Sequence, residues 1–222
     1  MTDTPLSPLN WPTHTIHRKF GAITVQLQVI KDFDDVLNHC VATHPNDTDM
    51  IPYYADLWPS AEAMSQHIVN TYETLCDTRI IELGCGLGLP SILCAKLGGD
   101  VTATDFHPDN RAYFEHNARD NDVSNIAYRQ LDWSTPSVCT RYDLVIGSDL
   151  LYEQKQIESL THCILTLLAP GGTFILADPG RDHIQAAVDS FENSGFTHDI
   201  VLINDVFIIT FNAPNNAPGT QS

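Results

Sequence analysis

The sequence predicts an α/β fold in which a mostly parallel sheet is flanked by helices. Short apolar segments alternate with amphipathic segments of helix length along most of the 222 residues, and this alternation is typical of strand–helix–strand units. Several of the apolar segments end on an acidic residue. Near the C-terminus, two strand-like segments flank Asn204-Asp205, which predicts a β-hairpin.

The segment from Arg79 to Asp105 predicts a strand, a glycine turn, a helix and a second strand. Ile80 to Leu83 is a short apolar run of the kind that forms a strand buried on both faces. Gly84, Gly86 and Gly88 then form the turn, where glycine tolerates positive φ and lets a ligand approach the backbone closely. The second strand ends on an acid, Asp105.

Such a unit binds a nucleoside, because the glycines admit the ligand beside the helix N-terminus and the acid accepts from ribose hydroxyls. The dinucleotide pattern G-x-G-x-x-G fails from Gly84, since its last position is Leu89, and fits weakly from Gly86, since it ends on Ser91. Glu82 precedes the first glycine by two residues and suits a ligand that carries positive charge. A dinucleotide site and a turn without a ligand stay open as alternatives.

The composition bounds the partners. The formal net charge of −17 argues against a nucleic-acid partner and against an anionic membrane surface, since both need a basic face. It indicates high solubility or the steering of a cationic partner. The polar residues 1–10 predict no signal peptide, and no apolar run is long enough to span a bilayer.

The cysteines and histidines predict a cytoplasmic protein without a metal site. The six cysteines form no C-x-x-C pair, and the ten histidines form no H-E-x-x-H motif. Scattered cysteines of this kind are mostly buried thiols.

We expect three parts: an accessory arm, hairpin and helix at residues 1–50, a core at 51–212, and a disordered tail at 213–222. Residues 14–30 predict a hairpin that turns at Gly21-Ala22 and covers either the site or an edge of the sheet. Asp32 is a candidate cap for the next helix. The apolar face of that helix comprises Phe33, Val36, Leu37, Cys40 and Val41.

The core is predicted to begin at Trp58-Pro59, an extended residue followed by a proline suited to a helix start. That helix is expected to present Ala61, Met64, Ile68 and Leu75 on its apolar face. The further strands are expected at 125–131, 142–147, 173–177, 197–203 and 206–211. The further helices are expected after residue 89, after residue 110, at 153–168 and around residues 184–191, with a turn at Pro170-Gly171-Gly172.

Polar and aromatic residues follow the predicted strands at the edge where open α/β sheets bind ligands. Phe106 follows Asp105, and Asp132-Trp133 follows the third strand, where the carboxylate can accept from an adenine amino group. The fourth strand runs into Ser148, Asp149 and Tyr152. Trp58 is either an aromatic wall that meets a sulfonium or an amine through its π face, or an anchor in the core.

The order of these motifs resembles the seven-β-strand class I S-adenosylmethionine (SAM) methyltransferases of family 16, the METTL21 and METTL20 type of protein-lysine methyltransferases. The resemblance covers roughly residues 14–212. The matching pieces are Leu57-Trp-Pro-Ser60, Glu82-Leu-Gly-Cys-Gly-Leu-Gly88, Leu131-Asp-Trp133 and Gly147-Ser-Asp-Leu-Leu-Tyr152.

This resemblance implies a Rossmann-like sheet of seven strands with a reversed last strand, and SAM as the methyl donor. It implies that Glu82, Gly84 and Gly86 line the methionine end, that Asp105 holds the ribose, and that Asp132 and Trp133 meet the adenine. The predicted cofactor contacts are Trp58, Glu82, Gly84, Cys85, Gly86, Gly88, Asp105, Phe106, Asp132, Trp133 and Ser148, and the predicted catalytic residues are Asp149 and Tyr152.

The expected reaction is transfer of a methyl group to an amine by in-line displacement, in which the enzyme mainly aligns the reacting groups. Desolvation against Trp58 and Tyr152 would lower the pKa of a lysine acceptor, and Asp149 would hold the amine and oppose that shift. Asp149 is therefore expected to orient the acceptor. The predicted partner is a protein with an accessible lysine, acted on by a monomer; a small amine and a non-catalytic SAM-binding role are the alternatives.

Overall fold

The computed structural model describes residues 11–43, 51–123, 126–136, 140–152 and 156–215. Most of the predicted arm and tail, the first residue of the predicted third strand, Cys139 and the predicted start of the helix at 153 lie outside these residues. The first strands and helices are β1 (Thr13–Phe20), β2 (Ile23–Ile30), α1 (Phe33–Thr43), α2 (Pro59–Thr71), β3 (Arg79–Leu83), α3 (Leu89–Lys96), β4 (Asp100–Asp105) and α4 (Asn110–Asp120). They are followed by β5 (Ala127–Gln130), β6 (Tyr142–Ser148), α5 (Gln156–Leu167), β7 (Leu168–Asp178), α6 (Ile184–Asn193), β8 (Thr197–Ile203) and β9 (Val206–Asn212).

Seven strands form one sheet in the order β5-β4-β3-β6-β7-β9-β8. The pairs from β5 to β7 are parallel, and β9 is antiparallel to both β7 and β8. This arrangement confirms the predicted, mostly parallel sheet with a reversed last strand. Asn204 and Asp205 connect β8 to β9 with φ of +49° and +63°, as a two-residue hairpin loop requires.

The chain reverses direction across the sheet between β3 and β6. From β3 it proceeds outward through β4 and β5, and β6 then returns to the other side of β3. The carboxyl ends of β3 and β6 therefore flank a topological switch point, which is where open α/β sheets place their ligand crevice.

Helices cover both faces of the sheet and produce two buried apolar clusters. One cluster joins α2, α3 and α4 to the sheet and includes β2, and the other lies under α5 and α6. In the second cluster the ring centroids of Phe191 and Phe211 lie 4.6 Å apart, and both residues are fully buried. Burying a phenylalanine side chain stabilises the fold by about 1.5–3 kcal/mol.

Several helix and strand predictions need correction. The helix α2 ends at Thr71, because Tyr72 takes an extended conformation with φ −120° and ψ 120°. Leu75 is therefore buried outside this helix. In α1, Val36 is buried, whereas Val41 is 51% exposed although the pattern placed it on the apolar face.

The predicted turn at residues 170–172 lies within β7. Tyr142 of β6 pairs with Leu168, and Leu144 pairs with Thr173. The strand β7 thus bulges between these two pairs, and Gly171 accommodates the bulge with φ +71°.

The two-stranded sheet β1-β2 is separate from the seven-stranded sheet in the described part of the chain. All eight residues of β1 pair with β2, which confirms the predicted hairpin. The strand β2 lies against α3 and α4, so this hairpin covers helices and does not extend a sheet edge. Asp32 caps α1 as predicted, since its Oδ1 accepts from the backbone N–H of Asp35 at 3.2 Å.

Two buried asparagines, Asn117 in α4 and Asn121 directly after this helix, join the hairpin to the core. The Oδ1 of Asn117 accepts from the backbone N–H of Gln28 at 2.8 Å, and its Nδ2 donates to the carbonyl of Leu87 at 2.9 Å. The side chain of Asn121 bonds both the N–H and the carbonyl of Gln26, at 3.0 and 2.6 Å. Since Leu87 lies in the glycine turn, Asn117 connects the hairpin directly to that turn.

None of the helices in the described part of the chain combines the length and apolar character needed to cross a bilayer.

We expect Asn117→Ala to lower the free energy of unfolding by about 1–3 kcal/mol, because it leaves the Gln28 N–H and the Leu87 carbonyl unpaired. Urea unfolding followed by circular dichroism measures this change. Asn70→Ala, at an exposed position of α2, is the matched control and should change stability far less. Equal effects of the two substitutions would contradict the role of Asn117 as a joint.

Candidate active site

The glycine turn between β3 and α3 forms the base of the site. Its three glycines have positive φ: +64° at Gly84, +50° at Gly86 and +86° at Gly88. Gly88 is the N-cap of α3, and a Cβ there would lie 2.6 Å from the ring of Phe114. Only glycine fits this position without displacing that ring. Gly84 and Gly86 remain partly exposed, so their backbone is accessible from the crevice.

Asp105 lies beside this turn at the end of β4, as predicted. Its Oδ2 accepts from the N–H of Gly86 and its Oδ1 from the N–H of His107, both at 3.0 Å. The residue is only 8% exposed, and burial raises the pKa of its carboxyl while the two N–H donors oppose this rise. Asp105 thus holds the turn in place, and each oxygen keeps a lone pair for a further donor.

Glu82 is buried behind the turn. Its Oε2 accepts from the backbone N–H of Ser91 at 3.0 Å and from the Ser91 hydroxyl at 2.5 Å. Ser91 lies in the first turn of α3, so Glu82 satisfies a donor that the helix leaves free. Burial raises the pKa of Glu82 to about 8. The role at the methionine end stays a prediction, because these contacts are with the helix.

Cys85 is a buried thiol within the turn. Its Sγ lies 3.6 Å from the Oδ1 of Asn110, whose Nδ2 donates to the carbonyl of Gly86 at 2.7 Å. Burial raises the pKa of Cys85 well above its ordinary value, which suits an inert thiol and not a nucleophile. Asn110 was missed from the sequence, where only its position after the Asp105 strand could have indicated it.

Four aromatic residues lie near this edge. Trp58 is half-buried, and its Nε1 donates to the carbonyl of Tyr53 at 2.8 Å. The centroid of its ring lies 6.3 Å from that of Phe33 and 6.1 Å from that of Tyr53. Phe106 is 48% exposed. These aromatic side chains therefore keep apolar surface free beside the turn.

Asp132 and Trp133 follow β5 at the same edge. Asp132 is exposed, and its Oδ1 accepts from the N–H of Ser134 at 2.8 Å. Trp133 is half-buried and packs against the apolar cluster under α5. The exposed acid leaves acceptor positions open for an adenine amino group, while part of the indole is used in packing.

The residues that follow β6 form the second half of the site. Ser148 ends this strand half-buried. Asp149 takes φ +58°, and its N–H donates to the carbonyl of Ala177 at 2.9 Å. This strained conformation turns its side chain, which is 7% exposed, toward Arg181. A non-glycine residue at such a φ costs about 1–3 kcal/mol and is common at functional sites.

Arg181 ties the acidic and aromatic residues of this half together. Its Nη1 lies 2.7 Å from the Oδ1 of Asp149 and 2.8 Å from the Oδ2 of Asp178. Its Cζ lies 4.9 Å from the ring centroid of Tyr152. Burial raises the pKa of Asp149, while Arg181 and the Ser60 hydroxyl oppose this rise. Burial and the nearby Asp149 raise the pKa of Tyr152 to about 12.

One oxygen of this cluster is left without a partner. Among the residues that the structure describes, the Oδ2 of Asp149 is buried and has no donor in hydrogen-bonding geometry, although the Ser60 hydroxyl interacts with the same carboxylate. A buried carboxylate oxygen of this kind is costly unless a donor satisfies it. The arrangement can therefore bind a cationic group at this atom.

Sequence reasoning did not select Asp178, Arg181 or Ser60 as site residues. The available signal was the segment Asp178-Pro-Gly-Arg181, because it follows a strand of the same sheet at the same edge. Ser60 was visible only as the residue after the proline that starts α2.

The described residues fit SAM. The partly exposed backbone of Gly84 and Gly86, the carboxylate of Asp105 and the exposed acid Asp132 supply groups for an aminoacyl end, a ribose and an adenine. Within the same ranges, no three histidine, cysteine, aspartate or glutamate side chains come together as a metal site.

A family model described as lysine methyltransferase, methyltransferase family 16, matches residues 48–191. The chain belongs to this family. The family predicted from the motif order is thereby confirmed, and the match includes the glycine turn, Asp105, Asp132 and the residues that follow β6.

Curated relatives of this family-16 chain include lysine and arginine methyltransferases. The electron transfer flavoprotein beta subunit lysine methyltransferase of Danio rerio is 29% identical over 133 residues, which are 59% of this chain and 51% of the relative. Protein N-lysine methyltransferase METTL21A of Xenopus tropicalis is 26% identical over 171 residues, which are 71% of this chain and 79% of the relative. Histone-arginine methyltransferase METTL23 of Xenopus laevis is 29% identical over 110 residues, which are 47% of each chain. The chain thus spans about half the length of the first and third relatives.

Solved structures confirm the Rossmann-like methyltransferase fold of this family-16 chain. Ribosomal protein L11 methylase of Lactobacillus delbrueckii subsp. bulgaricus aligns with a TM-score of 0.61 at 18% identity, covering 70% of this chain and 78% of that chain. The N-methyltransferase NodS of Bradyrhizobium japonicum, in complex with S-adenosyl-L-homocysteine, aligns with a TM-score of 0.60 at 16% identity, covering 81% and 100%.

The buried Glu82 makes stability depend on pH. Its pKa is about 8 in the folded protein against an ordinary value of 4.5, so the folded state binds more protons between these two pH values. The free energy of unfolding should therefore fall as pH rises through this window. We expect Glu82→Gln to remove about 2 kcal/mol of this fall between pH 6 and 8, measured by urea unfolding at each pH. Glu158→Gln, at an exposed position of α5, is the control; parallel curves for wild type and Glu82→Gln would contradict the prediction.

Proposed function

We propose that this chain is a SAM-dependent methyltransferase that N-methylates a lysine side chain of a protein substrate. The observation that carries the proposal is the buried, unpaired Oδ2 of Asp149, at the same edge of the sheet as the glycine turn and Asp105. This atom offers a binding point for an ammonium group next to the predicted cofactor site. Membership of the lysine methyltransferase family supports the same conclusion.

In this proposal, SAM binds at the glycine turn and at the neighbouring carboxyl ends of the strands. In the proposal, Gly84 and Gly86 present their backbone to the methionine end, and Asp105 accepts from the ribose hydroxyls. Asp132 accepts from the adenine amino group. The aromatic surfaces of Trp58 and Phe106 exclude water beside the bound group.

When bound, SAM would supply an electrophilic methyl group, whose transfer would form an N–C bond as the S–C bond breaks with its electron pair staying on sulfur. The acceptor amine must first release its proton to solvent. Asp149 holds the amine through Oδ2 and so aligns the lone pair, but its negative charge also favours the ammonium form. Its role is therefore orientation, and no general base is assigned.

The acceptor side is open. Tyr152 is 50% exposed, Phe106 is 48% exposed and Tyr53 is 40% exposed. A side chain that projects from a folded protein can reach such a surface, whereas an isolated small molecule is usually enclosed by its site. This exposure favours a protein acceptor over a small amine.

The proposal includes a monomer that works in the cytoplasm on a protein with an accessible lysine and without a nucleic acid. The formal net charge of −17 supports the monomeric state and the absence of a nucleic acid, because like charges oppose self-association and repel phosphate backbones. It also favours basic substrate segments through long-range attraction.

The first experiment is the transfer of labelled methyl from SAM into a lysate of cells that lack this gene. We expect label in a discrete protein band, recovered as methyllysine after hydrolysis. Asp105→Ala should weaken SAM binding at least about tenfold, because it removes charged hydrogen bonds at the turn, and should abolish the band. Label confined to small molecules, or recovered as methylarginine, would overturn the proposal.

A second prediction concerns the acceptor. Asp149→Asn should lower turnover on the order of 10²-fold, because the amine loses the charge that aligns it. The dissociation constant of SAM, measured by calorimetry, should stay within about twofold of the wild-type value, since Asp149 lies outside the glycine turn. Undiminished turnover with intact SAM binding would exclude an orienting role for Asp149.

A further inference from the structure

The segment Asp178–Arg181 adds a fixed cation to the acceptor side of the site. Asp178 is fully buried, and its Oδ1 accepts from the N–H groups of Gly180 and Arg181 at 2.9 and 2.8 Å. Its Oδ2 accepts from the Nη1 of Arg181 at 2.8 Å. The guanidinium is thus held to its own loop by the same residue that shapes that loop.

Arg181 makes the two oxygens of Asp149 unequal. The Oδ1 of Asp149 lies 2.7 Å from the guanidinium, while its Oδ2 is buried without a donor in the described ranges. Both oxygens of Asp178 already accept bonds. Of the four carboxylate oxygens in this pair of residues, only the Oδ2 of Asp149 has no donor in hydrogen-bonding geometry within the described ranges.

The same guanidinium lies against the ring of Tyr152, with 4.9 Å between its Cζ and the ring centroid. A cation over an aromatic face is attracted to it by about 0.5–2 kcal/mol. Since the Tyr152 residue is 50% exposed, part of the ring stays accessible to an incoming side chain. Arg181 therefore contacts both predicted catalytic residues, Asp149 and Tyr152.

The charges around the Oδ2 of Asp149 can be counted. Asp149 and Asp178 contribute two negative charges and Arg181 one positive charge, and the pair Asp149–Arg181 also faces Tyr152. From other elements, Asp105 at the end of β4 and Tyr53 before α2 act on the hydroxyl of Tyr152. Without Arg181 the net charge of the three-residue cluster changes from −1 to −2.

We propose that Arg181 is a positioning residue that reserves the Oδ2 of Asp149 for the acceptor ammonium and lets the bound amine lose its proton nearer to neutral pH. This inference rests on the proposed function. A second uncompensated carboxylate would stabilise the ammonium form, which cannot attack the methyl group. Arg181 cancels that carboxylate while it holds the first one in position.

The test is the pH dependence of methyl transfer, with saturating SAM and a heat-treated lysate of cells lacking the gene as the acceptor pool. We expect Arg181→Gln to shift the midpoint of the rising limb upward by about one pH unit. The rate near pH 7 should fall about tenfold and approach the wild-type rate at high pH. Arg181→Lys keeps the charge and should keep the midpoint within about 0.3 units.

The double variant Asp178→Asn with Arg181→Gln separates charge from structure. It lacks the guanidinium but restores the cluster charge to −1, so its midpoint should return close to the wild-type value. It also removes the buried carboxylate that Arg181→Gln leaves uncompensated, which favours folding if the single variant fails to fold. Arg79→Gln, which breaks a pair with Asp143 at the opposite edge of the sheet, should leave the profile unchanged.

Two results would overturn the inference. One is an unshifted midpoint in Arg181→Gln, including a rate lowered by the same factor at every pH. The other concerns the double variant: its midpoint would equal that of Arg181→Gln instead of returning to the wild-type value. If Arg181→Gln alone does not fold, a double-variant midpoint that differs from the wild-type value would overturn the inference. Failure of the proposed function is distinct, because the wild-type protein itself would then transfer no label to protein.

Discussion

The carboxylate of Asp105 is the contact on which the geometry of the site depends. It binds the N–H groups of Gly86 and His107 and so joins the glycine turn to the end of β4. The turn can take this position because the N–H of Cys85 also bonds the carbonyl of Thr104 at 2.8 Å. With the turn held there, its exposed backbone faces the crevice between β3 and β6, where Asp149 also lies.

Most of the fold follows from local patterns in the sequence. Buried strands such as β3, the helix start at Pro59 and the two-residue turn at Asn204-Asp205 depend on neighbouring residues, so short-range rules predict them. The wrong predictions concern positions whose conformation or burial depends on contacts with distant parts of the chain. The bulge in β7 exists because β6 pairs on both sides of it, and Leu75 is buried by tertiary packing and not by helix periodicity.

The residues of the candidate site likewise fall into those that the sequence predicts and those that only the structure reveals. The glycines and the acids that end strands have fixed places in the sequence, and the structure brings them to one edge of the sheet. Arg181 lies in a segment that the sequence places at this edge, but its role was hidden, because its contacts with Asp149 and Tyr152 join segments separated by α5 and β7. Asp178 ends its strand like the acids that were selected, but its role in holding the loop depends on donors that the sequence does not show.

The two asparagines at the end of α4 and directly after it also limit how this protein can change in evolution. Asn117 and Asn121 bond backbone groups of β2, and Asn117 bonds Leu87 as well. Backbone groups are present whatever the side chain, so the sequence of the hairpin can drift while these joints persist. Replacing α4 with the helix of a relative would instead remove the side chains that hold the hairpin. A chimera of that kind keeps the hairpin docked only if both amide side chains are transplanted with it.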